Sequence, residues 1–187
     1  LTRTGPMAMA ASLGTGFLRT RNDLATPDIQ FHVQPFSADD IAAGPHGFSA
    51  FTASVLQLRP QSTGRIRLKS RDSKAHPAIH PGYLSSAVDC ETIVEGIRMA
   101  RRIARAEPVA NVITEEYAPG SAVNDNDEDA ILDWARNTST TIYHPTGTCR
   151  MGVDPQAVVD PQLRVRGVDG LRVADCSIMP EIVSGNT

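Results

Sequence analysis

The residues best placed to do chemistry lie in 142-IYHPTGTCRMG-152, where His144 is followed at once by Pro145. Proline fixes its own φ and disfavours helical backbone for the residue before it, so His144 is expected at a loop or strand end. Gly147 and Gly152 allow close backbone approach on the far side of the histidine. A neutral imidazole held rigidly in such a loop can take a proton from a bound substrate near neutral pH. The competing reading is a structural turn whose histidine bonds a backbone carbonyl. Thr148, Cys149 and Met151 read as packing residues, and Arg150 as a domain-spanning ion pair or a solvent-facing group.

A second stretch, 159-VDPQLRVRGVDGLRVADCSIMPEIVSGNT-187, supplies what a histidine alone lacks. Leu171, Val173 and Ala174 form a short apolar run ending at Asp175, the pattern of a buried strand whose carboxyl end reaches a ligand crevice. Ser184, Gly185, Asn186 and Thr187 then offer small and amide side chains. Together the two stretches resemble the C-terminal part of the glucose-methanol-choline (GMC) family of flavin-dependent alcohol oxidases and dehydrogenases. The family pattern His-Pro-x-Gly-Thr-x-x-Met-Gly is matched by His144, Pro145, Gly147, Thr148, Met151 and Gly152. Val-Asp-x-x-Leu-Arg-Val-x-Gly is matched by Val159, Asp160, Leu163, Arg164, Val165 and Gly167, and Gly-Leu-Arg-Val-x-Asp-x-Ser by Gly170 to Ser177.

The resemblance implies FAD-dependent oxidation of a primary alcohol to an aldehyde, with hydride passing to flavin N5 and His144 acting as base. It also implies a partner for that base: the family places a histidine or asparagine six positions after the proline that follows Asp-x-Ser, which here is Asn186. Asp175, Cys176, Asn186 and Thr187 resemble flavin-contacting positions, and Asp175 reads equally as a strand-end turn residue. Tyr143 and Pro145 would orient the histidine. The implied partners are a small-molecule alcohol, an N-terminal FAD-binding half, and dioxygen or a quinone-like carrier as electron acceptor. The Thr-Gly-Thr-Cys-Arg-Met-Gly form resembles bacterial choline-dehydrogenase-like members. That likeness does not make choline the substrate, since no aromatic cage or added carboxylate is legible. Two other functions stay open at this point, a non-catalytic structural or assembly fragment and a nicotinamide-linked alcohol dehydrogenase.

Composition narrows the setting. With 187 residues and 41% hydrophobic side chains the chain can build a core. A net charge of -3 argues against a nucleic-acid surface. Cys90, Cys149 and Cys176 have no short pairing, so neither a disulfide framework nor a zinc site is expected, and no metal is assigned. No apolar run reaches the roughly 18 to 20 residues of a transmembrane span, and a cytoplasmic setting is expected, with any membrane association only through an electron acceptor. No Gly-x-Gly-x-x-Gly fingerprint is present. The chain therefore reads as a C-terminal fragment of a larger enzyme.

The expected fold class is α+β: an antiparallel-sheet substrate domain with packing helices, plus a C-terminal segment returning to a Rossmann-like FAD-binding domain. Residues 1–26 are expected to cross from the FAD domain, 27–143 to bind substrate, and 144–187 to carry the active-site and FAD-contacting segment. Ile29, Phe31 and Val33 alternate with polar residues as in a strand, with His32 on the polar face. Residues 51–58 and 65–68 read as a hairpin, so that 27–68 should give at least three strands of one sheet. Arg65, Arg67, Lys69 and Arg71 read as a solvated face. Pro77 and Pro81 argue against regular structure around His76 and His80. Helices are expected at about 86–106, with a stripe of Ile93, Ile97, Ala100 and Ile103, and at 127–138, capped by Asp125 or Asn126 and buried through Ile131, Leu132 and Trp134.

Overall fold

The computed structural model describes residues 12–187, so most of the small-residue run from Gly5 to Gly16 lies outside the described residues. The chain divides into two compact units. One comprises the described residues up to Gln57 together with Glu91–Asn137, the other Leu58–Cys90 and Thr138–Thr187. The architecture is α+β, with antiparallel sheets and packing helices.

In the first unit, strands β1 (Gly14–Leu18), β2 (Ile29–Gln34) and β3 (Thr52–Gln57) form an antiparallel sheet in that order. The register sets Phe31 opposite Gly16 on one side and Val55 on the other. The period-two pattern of β2 puts Ile29 and Phe31 in the core, joined by Leu56 of β3. Gln30 is buried too, its amide donating to Thr15 Oγ1 at 3.1 Å, which removes the cost of leaving that polar group unpaired. Helix α1 (Ala87–Ala104) contributes Ile93, Val94 and Ile97 to the core, and α2 (Glu128–Thr138) contributes Ile131 and Ala135. Gly96 is what lets α1 lie against the sheet: a Cβ there would stand 2.5 Å from Val55 Cγ1. The cap of α2 is Asp127, which accepts from Ala130 N at 3.0 Å. Asp125, expected there, is engaged elsewhere.

Its partner is Arg101, which is only 6% exposed. The guanidinium fork donates through Nε and Nη2 to both oxygens of Glu116 at 2.8 and 2.9 Å, through Nη1 to Asp125 at 2.6 Å, and to the Gly120 carbonyl. Arg105 reaches the other oxygen of Asp125. Hydrogen bonds from Arg105 and Arg101 hold the Asp125 carboxyl below its ordinary range, and the bond to Glu116 raises Arg101. These bonds fasten the polar connector 113–126, which has no helix or strand of its own, onto α1.

The second unit corrects the expected hairpin. Strand β4 (Arg65–Arg67) pairs with β5 (Ala78–His80), not with β3, in a two-stranded antiparallel ribbon. Residues 27–68 thus give two strands of the main sheet, and its third strand is β1 from the small-residue region. The reason is a local anchor. Asp89, 1% exposed in the first turn of α1, accepts from Gln61 N at 2.9 Å and Ser62 N at 2.7 Å and so fixes the loop after β3. Ser62 Oγ in turn accepts from Ser85 N and Ser86 N. A Cβ on Gly64 would overlap the carbonyls of His80 and Pro81, and one on Gly82 would meet Thr63 O at 2.5 Å, so only glycines let these backbones touch. Pro77 and Pro81 flank β5 without entering it, where a missing N–H costs no ladder bond. No helix among the described residues is long and apolar enough to cross a membrane.

Replacing Arg101 with methionine should destabilise the protein by about 1 to 3 kcal/mol in urea unfolding, because the arginine is buried while Glu116 and Asp125, which lose it, stay partly open to solvent that screens them. Arg101→Lys should recover only part of this, since an ammonium cannot span both carboxylates as the planar fork does. A wild-type midpoint in R101M would show that the network carries no stability.

Candidate active site

The histidine loop belongs to the second unit and is held by backbone bonds to the C-terminal segment. Cys149 N donates to Ser177 O at 2.9 Å and Met151 N to Ile178 O at 2.8 Å. Gly147, at φ +86°, makes the turn leading into this pairing, a conformation in which a side chain is strained. Tyr143 also has positive φ, at +65°, with its N–H on Thr141 Oγ1 at 3.0 Å, and its side chain is 80% exposed. For a bulky aromatic residue that backbone is unusual, and such strain concentrates at functional positions.

Behind the loop, single bridges replace regular strands. Met151 pairs with Val159, Val159 with Val165, and Arg164 with Arg172. Val159, fully buried, and Ala157 form the small core beneath. Arg150 closes the same turn locally: its two terminal nitrogens reach both oxygens of Asp154 at 2.9 and 2.8 Å and hold that carboxyl well below its ordinary range. The ion pair is therefore local, four residues along the chain. Gly152 leaves room for it, since a Cβ there would stand 2.8 Å from Asp154 Oδ2.

Leu171, Val173 and Ala174 do not form the expected buried strand. Leu171 is 50% exposed, and its carbonyl accepts from Val165 N at 3.0 Å in a single bridge region. The run pairs only briefly with 163–165, through that bond, one from Val173 N to Leu163 O at 3.1 Å and the Arg164–Arg172 bridge, too short a ladder to make a strand. Asp175 then opens the 3-10 turn Cys176–Ile178, its Oδ1 accepting from Ser177 N at 2.8 Å. Side-chain and backbone bonds from Ser177 lower the Asp175 carboxyl. Cys176 is half-buried.

Although 43 positions apart, His144 and Thr187 are in contact: His144 Nδ1 lies 2.9 Å from Thr187 Oγ1 and accepts from Thr187 N at 3.2 Å. A backbone N–H can only donate, so in that arrangement the neutral ring keeps its proton on Nε2. Turning the Nδ1–H toward Thr187 Oγ1 instead would leave the Nε2 lone pair free. Nε2 has no hydrogen-bond partner among the described residues. Asn186, the preceding residue, is exposed, and so is Pro145. The structure thus brings His144 together with Thr187, the residue after Asn186, while Asp175 and Cys176 lie about ten residues earlier on the same segment. Sequence reasoning passed over Arg59 as one residue of a polar turn, yet its guanidinium donates to Ser184 Oγ at 2.5 Å. No local pattern signals a contact across 125 positions.

This fold places the chain among α+β proteins built from antiparallel sheets with packing helices. A family model described as GMC oxidoreductase matches residues 60–187, and the chain belongs to the GMC oxidoreductase family. It is 41% identical over 189 residues to an alcohol dehydrogenase [acceptor] of Pseudomonas putida, covering 99% of this chain and 33% of that protein. It is likewise 41% identical over 185 residues to the mitochondrial choline dehydrogenase of Mus musculus, covering 98% of this chain and 31% of the relative. Among solved structures, pyridoxine 4-oxidase from Mesorbium loti superposes with a TM-score of 0.83 at 28% identity, over 94% of this chain and 35% of that one. The chain therefore spans about a third of the length of the curated relatives it matches.

Because the Asp175 carboxyl is lowered in the folded state, the stability it contributes is present above the unfolded carboxylate value of about 3.9 and is lost as pH falls through the lower folded value. The Ser177 amide resonance should report that titration in an acid series, and Asp175→Asn should abolish it. A Ser177 shift that titrates identically in the asparagine variant would assign it to another group.

Proposed function

We propose that this chain carries the substrate side of an FAD-dependent oxidoreductase that converts a primary alcohol to an aldehyde, with His144 as the base. The supporting observation is the imidazole with Nδ1 2.9 Å from Thr187 Oγ1 and Nε2 without a partner among the described residues; in the tautomer with its proton on Nδ1 that leaves Nε2 free to accept, and Asn186 immediately precedes Thr187 in the chain. Residues 27–143 would supply the substrate-binding part and 144–187 the active-site and FAD-contacting segment, with 1–26 crossing from an FAD-binding half. The names of the two relatives, an alcohol and a choline dehydrogenase, support alcohol oxidation as the reaction class.

An alcohol can release hydride from carbon only as its hydroxyl proton leaves. His144 Nε2 would take that proton while Nδ1–H points to Thr187 Oγ1. The Asn186 amide would donate to the alcohol or alkoxide oxygen and steer it without adding charge. Tyr143 and Pro145 would fix the direction of the ring. The donor set fits the polar edge of a flavin: an imidazole held by Thr187 and the exposed amide of Asn186 can hydrogen-bond ring heteroatoms without a fixed charge beside them. Asp175, Cys176, Asn186 and Thr187 would hold it, and bound flavin would supply the hydride acceptor. Dioxygen or a quinone-like carrier would take the electrons onward.

In the flavin-loaded enzyme, His144→Ala should lower turnover by roughly 10²- to 10⁴-fold, the range for losing a positioned base, while the visible absorbance of oxidised flavin persists. Full turnover in a flavin-replete variant would remove His144 from the reaction. Activity lost in proportion to flavin would give it a structural role instead.

A further inference from the structure

We propose that Arg59 is a positioning residue for the candidate site, fixing the turn 184–187 that carries Asn186 and Thr187; the proposal rests on the reading of His144 and Asn186 as the reacting pair. Among the described residues the stretch 180–187 has two hydrogen-bonded tethers. One is Thr187 on His144 Nδ1, the other the bond from Arg59 Nη2 to Ser184 Oγ at 2.5 Å. Without Arg59 the turn would hang from the imidazole it is meant to orient. The backbone of the turn does not hold itself: it has no helix or strand, and Gly185 sits at φ +123°.

The mount of Arg59 is stiff where the turn is not. Leu58 before it is buried, and Pro60 after it has a fixed φ. Gln61 N and Ser62 N are clamped by the two oxygens of buried Asp89. No carboxylate among the described residues pairs with the Arg59 guanidinium, so in this exposed contact only water competes with Ser184 for its donors. A charged donor on a fixed base, bonded to a hydroxyl two residues before Asn186, transmits the rigidity of the 58–64 loop to the amide. A group that must meet a substrate oxygen at hydrogen-bond distance gains most from such a tether, since small misplacements cost rate steeply.

The test compares Arg59→Ala, Arg59→Lys, Ser184→Ala and the Arg59→Ala/Ser184→Ala double variant in the flavin-loaded enzyme, by turnover and by hydrogen exchange of the peptide covering 181–187. Arg59→Ala and Ser184→Ala should each lower kcat by about 10-fold, the scale of one charge-assisted hydrogen bond, with no further loss in the double variant. Exchange over 181–187 should quicken while that of 60–63 stays slow, and Arg59→Lys should restore part of both. Unchanged exchange in Arg59→Ala, additive losses in the double variant, or faster exchange with wild-type kcat would each overturn the proposal. His144→Ala separates the two levels. Full turnover there sinks the base assignment, whereas a wild-type Arg59→Ala beside an inactive His144→Ala sinks the positioning role alone.

Discussion

Two backbone hydrogen bonds, from Cys149 and Met151 to the carbonyls of Ser177 and Ile178, carry the arrangement on which the candidate site depends. They bring the histidine loop alongside the segment that ends at Asn186 and Thr187. Backbone groups taken out of water must find partners, so this pairing is favoured wherever the two stretches are sheltered together. Side chains add to it sparingly. Val159 and Ala157 fill the space beneath, and the Arg150–Asp154 pair keeps the intervening turn short. An irregular scaffold of single bridges suits a site whose residues come from loops, because each loop can be aimed separately.

The unit containing the three-stranded sheet solves a different problem. Its polar connector between α1 and α2 has little apolar surface to bury, so it is held by charge. The buried Arg101 gathers Glu116, Asp125 and a carbonyl, its two carboxylate partners remaining partly open to solvent. Such a network adds less net energy than a hydrophobic core of the same volume, but it is demanding in geometry, and loss of one member strands the others. Gly96 plays the complementary part in the apolar layer, letting helix and sheet approach closely enough for Ile29 to be wholly enclosed.

Legibility differed sharply between near and distant relations. The helices at 87–104 and 128–138 followed from apolar spacing and charge bias, and β2 from alternation. The partner of β4 did not, because Asp89 redirects the loop after β3 from a position in α1 that sequence spacing reads only as a helix-start charge. The cap of α2 is Asp127, where Asp125 or Asn126 was expected: the helix begins at Glu128, so Asp127 directly precedes it, and Asp125 is bonded to Arg101 and Arg105. Buried, charge-assisted contacts win over local ones, and nothing in the local pattern records them.

By itself the sequence determined the family, the α+β class and the identity of the residues with chemical capacity, because these rest on residue type and short-range spacing. His144 beside Pro145, and the small and amide residues at 184–187, are legible in that way. Only the tertiary structure decided that Thr187 meets His144 Nδ1, that Arg59 reaches Ser184, and that Leu171–Ala174 pairs with 163–165 through a single bridge and not as a buried strand. Each of those is a choice among many polar or apolar partners of similar intrinsic strength. The choice is made by which backbones the folded chain has already brought within about 3 Å.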